Sequence, residues 1–422
     1  MRKISIIGGG QAGLLLGFAL LDKGYSVSLY TDRSPEQVLN SRIPSTAFLF
    51  ESTLATEREL GLNFWEDLVP YGEGMHVDFR GPDGSIGLTV QGRLGDLQGQ
   101  ALDQRTKFSR WLQEFPRRGG KLVIQAVSVA DLEKIAAESD LTMVAAGKGQ
   151  INAFFARDDE RSVHSAPPRN LAAMLLTGPK LTGDHPWKRV PFRPLRFNFI
   201  AGVGEYFSLP FYTHTRGECR SFLFEAIPGG PMDRFQDAKD GHELLEIARQ
   251  VIAEFAPDDL HHMEGAELTD EDAWLKGAFV PTVRKPIGQL PSGACVMAIG
   301  DTAVLNDPIA GQGSNNAARM VRHLVARIVA NGNAAFDAAW MKDTFETFWD
   351  ESASYTTAFT NALLNPPGEP VMTVLGAASQ HPPVADAFMR CFDNPRNYWP
   401  WIADLDEARN FVASHVEERC AA

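Results

Sequence analysis

The chain has 422 residues, and its 40 basic against 53 acidic side chains leave a formal net charge of -13. An acidic excess argues against a nucleic-acid partner, whose phosphates demand clustered Lys and Arg. At 44% hydrophobic and 22% charged residues the composition excludes a disordered or fibrous chain, and domains of roughly 100–200 residues predict two or three of them.

Residues 3–7 read as a buried strand, 11–23 as an apolar-faced helix and 25–31 as a second strand, which together make a βαβ unit. The opening apolar run is too short for a signal peptide, and no later run reaches membrane-spanning length. From Trp65 to Leu97 short turn-rich segments such as Arg80-Gly81-Pro82-Asp83-Gly84 suggest hairpins. A helix is expected at 103–115 and strands at 121–127 and 141–146. Several strand candidates follow across 190–227, which read as an antiparallel sheet. A buried parallel strand is expected at 294–299 and an amphipathic helix at 314–330, with Gly332 just beyond its end. The remainder reads as short helices, each stopped by prolines at 366, 367, 370, 382 and 383.

Cys219, Cys295, Cys391 and Cys420 form no C-x-x-C pattern, which disfavours a zinc site or disulfide framework and predicts a reducing, cytoplasmic setting. His261 and His262 are adjacent but lack a third ligand, so they are expected at the surface with no metal. Trp399-Pro400-Trp401-Ile402 in the tail reads as packing.

Two motifs carry chemistry. Gly8-Gly9-Gly10-Gln11-Ala12-Gly13 lies between the first strand and helix. Gly8 permits a tight turn, Gly10 lets a pyrophosphate approach the backbone, and Gly13 lets helix and strand pack closely. The helix N-terminus then offers its free N–H groups to the phosphates. An acidic residue holding a ribose is expected some 20 positions on. Thr31 occupies that place; either Asp32 reaches the ribose from a shifted position, Arg33 packs along the adenine, or both are solvated turn residues.

The second motif is Gly300-Asp301-Thr302-Ala303 followed by Asp307-Pro308-Ile309-Ala310-Gly311-Gln312-Gly313-Ser314-Asn315. Asp301 can accept a hydrogen bond from a ribityl hydroxyl, and Gly311 to Gly313 let the backbone approach a flat ring. The helix opening near Ser314 would stabilise negative charge on that ring. Together the motifs match FAD-binding domains better than either does alone. The expected fold is α/β (α+β overall), with a Rossmann-like FAD-binding domain at 1–70, 99–160 and 286–332. An inserted antiparallel β-sheet substrate domain would occupy 71–98 and 161–285, and a helical C-terminal region 333–422.

With these motifs, Tyr30-Thr31-Asp32-Arg33, Ala145-Ala146-Gly147-Lys148 and the Asp-Pro-x-x-Gly-Gln-Gly-x-Asn ending, the chain resembles the styrene and indole monooxygenases, two-component FAD epoxidases of the para-hydroxybenzoate-hydroxylase-type fold. The resemblance implies that a separate NAD(P)H:flavin reductase supplies reduced FAD. O2 would then be activated as a C4a-(hydro)peroxyflavin that epoxidises a small apolar aromatic such as styrene or indole. Single-component hydroxylases of this fold usually carry an Asp-Gly motif where Gly147-Lys148 stands, and a His where Val304 stands. The family's Arg-x-x-Asn-Thr segment corresponds to Arg42-Ile43-Pro44-Ser45-Thr46, with Ser45 in place of Asn, and Asn306 stands where an apolar residue is usual. Arg42, Ser45, Thr46 and Asn306 are therefore expected at the boundary of flavin and substrate, with Pro308 near the reactive edge. Arg105 matches a position from which this fold contacts the FAD pyrophosphate, a plain surface arginine being the alternative. Phe207, Leu209 and Phe211 share one face of a strand and are expected to form the apolar wall, although the same alternation would equally build a core. A homodimer remains open, as do two alternatives: a single-component NAD(P)H-dependent hydroxylase and a flavin-binding protein without oxygenase chemistry.

Overall fold

The computed structural model describes residues 2–146, 150–178, 190 and 192–417. Gly147 and Lys148 lie outside them.

Two sheets organise the chain. The first has six strands in the order Ile287–Gln289, Cys295–Ala298, Leu141–Val144, Lys3–Ile7, Ser26–Thr31 and Lys121–Ile124. All neighbours are parallel except the first pair. Four of five residues in Lys3–Ile7 and all four in Leu141–Val144 are buried, as strands covered on both faces must be. Helix Gln11–Asp22 is apolar around nearly its whole circumference because it lies between this sheet and helix Gly313–Ala330. Lys3–Ile7 has neighbours on both sides, and the crevice beyond the carboxyl ends of such strands is where ligands bind in open α/β sheets.

The second sheet runs Glu267–Leu268, Asn170–Thr177, Gly217–Ala226, Gly204–Thr213, Pro194–Ile200, Gly74–Arg80 and Ile86–Arg93, with Trp274–Gly277 also paired to Asn170–Thr177. It is antiparallel except where Gly74–Arg80 lies parallel to Pro194–Ile200. The hairpin expected between Trp65 and Leu97 is therefore an outer part of this sheet, its turn closed by Gly81 N–H to Ser85 O at 2.8 Å. One face of Gly204–Thr213 turns Tyr206 toward helix Gly241–Phe255. The other carries Phe207, Leu209 and Phe211 into a cluster with Ile43, Phe48, Ile309, Ala310 and Phe359.

The C-terminal region is helical, but its prolines act differently from expectation. Pro370 and Pro382 sit in the first turns of helices Glu369–Ala378 and Pro382–Arg390, where a missing N–H costs nothing, so they start helices. Trp401 is buried in the same cluster as Phe388 and Tyr398. His262 is not at the surface. It is 2% exposed, with Nε2 3.5 Å from Asp259, because Asp259 is itself drawn under the sheet by Arg196.

Candidate active site

The amino-terminal turn closes tightly. Gly8 has φ +124, and a Cβ there would meet Ala145 O at 2.6 Å; a Cβ on Gly13 would lie 2.0 Å from Gly8 O. Only residues without side chains allow this approach. A Cβ on Gly10 would meet nothing within 4 Å among the described residues, as an approaching phosphate requires. Helix Gln11–Asp22 has no side-chain cap and no acid in its first turn. Helices Val129–Glu138 and Gly241–Phe255, by contrast, are capped by Ser128 and Asp240. Uncapped N–H groups and a positive dipole end are what an anion needs.

The second motif reaches the same place from the other end of the chain. Ile299 N–H bonds Val144 O at 2.8 Å, carrying the strand end alongside Leu141–Val144. Gly300 then turns at φ +57 and packs on the first helix so closely that a Cβ would lie 2.8 Å from the Cβ of Ala12. The carboxylate of Asp301 is open to solvent and makes no hydrogen bond among the described residues. Surrounding protein nevertheless desolvates it and raises its pKa, against the weaker pull of Arg284. Asp301 therefore presents a solvent-accessible carboxylate beside protein that disfavours its charge.

Asp307 caps the turn that follows, accepting from Ile309 N–H at 3.1 Å. Gly311 has φ +62, and Cβ atoms on Gly311 and Gly313 would meet nothing within 4 Å among the described residues. Helix Gly313–Ala330 again lacks a side-chain cap and a first-turn acid. Asn315 does not face the crevice as a ligand. Its Oδ1 accepts from Phe50 N–H at 3.0 Å and Thr53 Oγ1 at 2.9 Å, while its Nδ2 donates to Phe48 O and Gly311 O, each at 2.8 Å. Gln312 is also used internally, donating to Phe392 O at 2.8 Å and accepting from Arg319 at 2.9 Å. The pair thereby ties the 42–50 segment and the C-terminal helices to the glycine turn.

Within that segment Arg42 is exposed and stacks over Trp274 at 4.0 Å, Ile43 N–H bonds Asp272 O at 3.1 Å, Ser45 is exposed and Thr46 is half-buried. Asn306 is buried; its Oδ1 accepts from Thr357 at 3.0 Å and its Nδ2 has no partner among the described residues. Pro308 is half-buried. Phe207, Leu209 and Phe211 are 3%, 8% and 0% exposed. They pack as core beside Ile309 and Ala310 and do not line an open wall in this form.

Other expected residues lie elsewhere. Asp32 and Arg33 are exposed beyond the second strand, 3.8 Å apart. Arg105 is buried, and all five of its N–H groups are engaged by Asp103, Asp270 and Ser41 O, so it offers a pyrophosphate no free donor here. Gly147 lies outside the described residues.

A cavity beside Gln11 that holds a buried ion pair was not read from the sequence. Leu49, Trp65, Gln104, Glu57 and Lys107 are among the residues that line it. Gln11 Nε2 donates to Glu57 Oε1 at 2.9 Å, and Lys107 makes a buried ion pair with the same oxygen. Burial pushes the Lys107 pKa down while Glu57 opposes it. The usable signal was Lys107 on the inward face of an otherwise apolar helix stripe with Phe108, Trp111, Leu112 and Phe115. No cluster of metal-ligating side chains occurs among the described residues.

These residues suit FAD. Two uncapped helix ends and three glycines that face open space meet a carboxylate with free lone pairs. Comparison with known proteins agrees. Residues 147–261 match the family model "Styrene monooxygenase A putative substrate binding domain". Over 411 residues the chain is 26% identical to the styrene monooxygenase StyA of Pseudomonas fluorescens, covering 94% of each chain. A StyA from a Pseudomonas species is 27% identical over 410 residues, with 94% of each covered.

The chain is similar to the styrene monooxygenases along most of its length.

Its fold is that of flavin-dependent enzymes more widely. The flavin-dependent brominase Bmp2 superposes with a TM-score of 0.66 at 15% identity, covering 98% of this chain and 99% of that one. The flavin-dependent halogenase CmlS gives 0.62 at 15% identity, covering 99% and 78%. The 2-methyl-3-hydroxypyridine-5-carboxylic acid oxygenase gives 0.58 at 14%, covering 92% and 98%. No helix among the described residues is long and apolar enough to cross a membrane.

Proposed function

We propose that the chain is the oxygenase component of a two-component system, taking reduced FAD from a separate NAD(P)H:flavin reductase and using O2 to epoxidise a small apolar aromatic such as styrene or indole. The observation that carries this reading is the packing of Gly300 on Ala12, which brings the turn that bears Asp301 against the start of the first helix. The likeness to styrene monooxygenases along 94% of the chain supports the choice of substrate class.

Bound reduced FAD supplies the oxygen activation. The chain's own residues bind, orient and exclude water. The turn Gly8–Gly13 and the first helix N-terminus hold the pyrophosphate, and Asp301 accepts from a ribityl hydroxyl. Gly311 and Gly313 bring backbone N–H groups and the positive end of helix Gly313–Ala330 to the ring, where they stabilise negative charge. Asn306, Pro308, Arg42, Ser45 and Thr46 would border the reacting edge. Phe207, Leu209 and Phe211 back the pocket with apolar surface that keeps it dry.

The test combines purified protein, FAD, NADH and an unrelated flavin reductase with styrene or indole in air. Styrene oxide or indigo formed only when all components are present is the expected result. NAD(P)H oxidation by the chain without the reductase, stimulated by the aromatic, would overturn the two-component reading. Consumption of reduced flavin with no oxygenated product would overturn the oxygenase reading.

A further inference from the structure

The inner face of the second sheet ends in carboxylates. Glu205 on Gly204–Thr213 stands directly opposite Glu225 on Gly217–Ala226, two residues along from the Phe207 and Leu223 pair. By the alternation of strands, these glutamates share the face that carries Phe207, Leu209 and Phe211 toward the Asp307–Gly311 turn. Glu205, Glu225 and Asp307 are 6%, 0% and 2% exposed. Arg169 grips Glu205 with two hydrogen bonds of 2.8 Å and spends another on Leu364 O. His164, the other charged-capable group felt by Asp307, bonds Asn361 at 3.1 Å.

Three carboxyls therefore share one fixed guanidinium. Among the described residues no donor satisfies either oxygen of Glu225, whose electrostatic neighbours are Asp307, within hydrogen-bond reach of it, Glu205 and Arg169. Two neighbouring carboxylates this deeply buried cannot both stay ionised, so one must hold a proton. Asp307 already accepts from Ile309 N–H, which favours its ionised form, and Glu205 has Arg169. Glu225 has neither.

We propose that Glu225 is a neutral acid that donates its proton to a hydrogen bond with Asp307, and that this bond fixes the Asp307–Gly311 turn from behind. Glu225 is then a positioning residue: it touches neither flavin nor substrate but sets the turn that Pro308 and Gly311 present to them. The link to flavin rests on the function proposed above, whereas the shared proton does not. Burial, which raises the pKa of both Glu225 and Asp307, acts in the same direction.

Infrared spectroscopy of the ligand-free protein provides the test. A protonated-carboxyl stretch that shifts in D2O is expected to persist at neutral and mildly alkaline pH and to vanish in Glu225→Gln. The amide can still donate to Asp307, so Glu225→Gln should hold oxidised FAD within about twofold of wild type. Glu225→Leu cannot donate, and should weaken FAD binding roughly tenfold. Absence of the infrared band at neutral pH, or its survival in Glu225→Gln, overturns the proposal without reference to catalysis or to whether Glu225→Leu folds. Equal FAD affinity in the Gln and Leu variants overturns the positioning role. A band present in a protein that oxygenates nothing would instead sink the proposed function and leave the dyad standing.

Discussion

The Cβ of Ala12 lies where a Cβ on Gly300 would come within 2.8 Å of it, so a residue of the first helix and one nearly 290 positions later form a single contact. Gly300→Ala should break that contact twice over. The left-handed φ costs an L-residue roughly 1–2 kcal/mol, and the overlap forces helix and turn apart. FAD affinity by fluorescence titration is expected to fall by at least roughly tenfold, with a lower melting temperature. Gly376→Ala is the control. It sits in a helix with nothing within 4 Å, and should stabilise by roughly 0.5–1 kcal/mol with FAD binding unchanged. Equal behaviour of the two variants would mean the contact does not shape the crevice.

Asp301 pits stability against binding. A carboxyl whose pKa is raised in the folded state adds stability that is full below its unfolded value and is lost as pH rises through the folded one. At neutral pH the ionised group therefore burdens the ligand-free fold. Asp301→Asn should melt no lower than wild type without FAD, yet bind FAD roughly tenfold more weakly through loss of a charge-assisted hydrogen bond. Calorimetry with and without FAD checks both halves; a variant that is less stable alone contradicts the assignment.

Asn306 is poised for a charge experiment. Its Oδ1 takes the hydroxyl of Thr357 and its side chain is buried beside Asp307. Asn306→Asp places a second carboxylate there, and product formed per reduced flavin consumed should drop roughly two- to tenfold, with hydrogen peroxide making up the difference. Unchanged coupling would remove Asn306 from the pocket.

The acid side of the stability profile should report His262. Burial pushes its pKa down to about 4, with Asp259 opposing, so the folded protein holds it neutral where the unfolded chain protonates it. Stability from this source is full above the usual histidine value and is lost as pH falls from there toward about 4. Unfolding free energies from urea titration should decline across that window, by at most about 1.4 kcal/mol per pH unit for one proton. His262→Gln should flatten that decline. Asp78 and Asp259, held below the normal carboxylate range with Arg196 between them, add a separate loss that begins only below about pH 4.

The glycine motifs were legible in the sequence because their requirement is local: Gly8, Gly300 and Gly311 occupy backbone conformations that few other residues accept. Strand Asn170–Thr177 was not, since a continuous apolar run fits strand or helix equally until Gly217–Ala226 pairs with it. Helix Glu51–Glu59 is largely polar and owes its place to Phe50 and Thr53 gripping Asn315, a residue more than 260 positions away. Arg105 and His262 misled for the same reason. Each took its meaning from a carboxylate, Asp270 or Asp259, whose approach only the assembled sheet determines.

Strand Cys295–Ala298 docks against Leu141–Val144, which docks against Lys3–Ile7. During synthesis the amino-terminal βαβ unit therefore leaves the ribosome long before its last parallel neighbour exists. Roughly 150 residues separate Leu141–Val144 from Cys295–Ala298, so the nascent chain carries an open sheet flank until that whole stretch has been made.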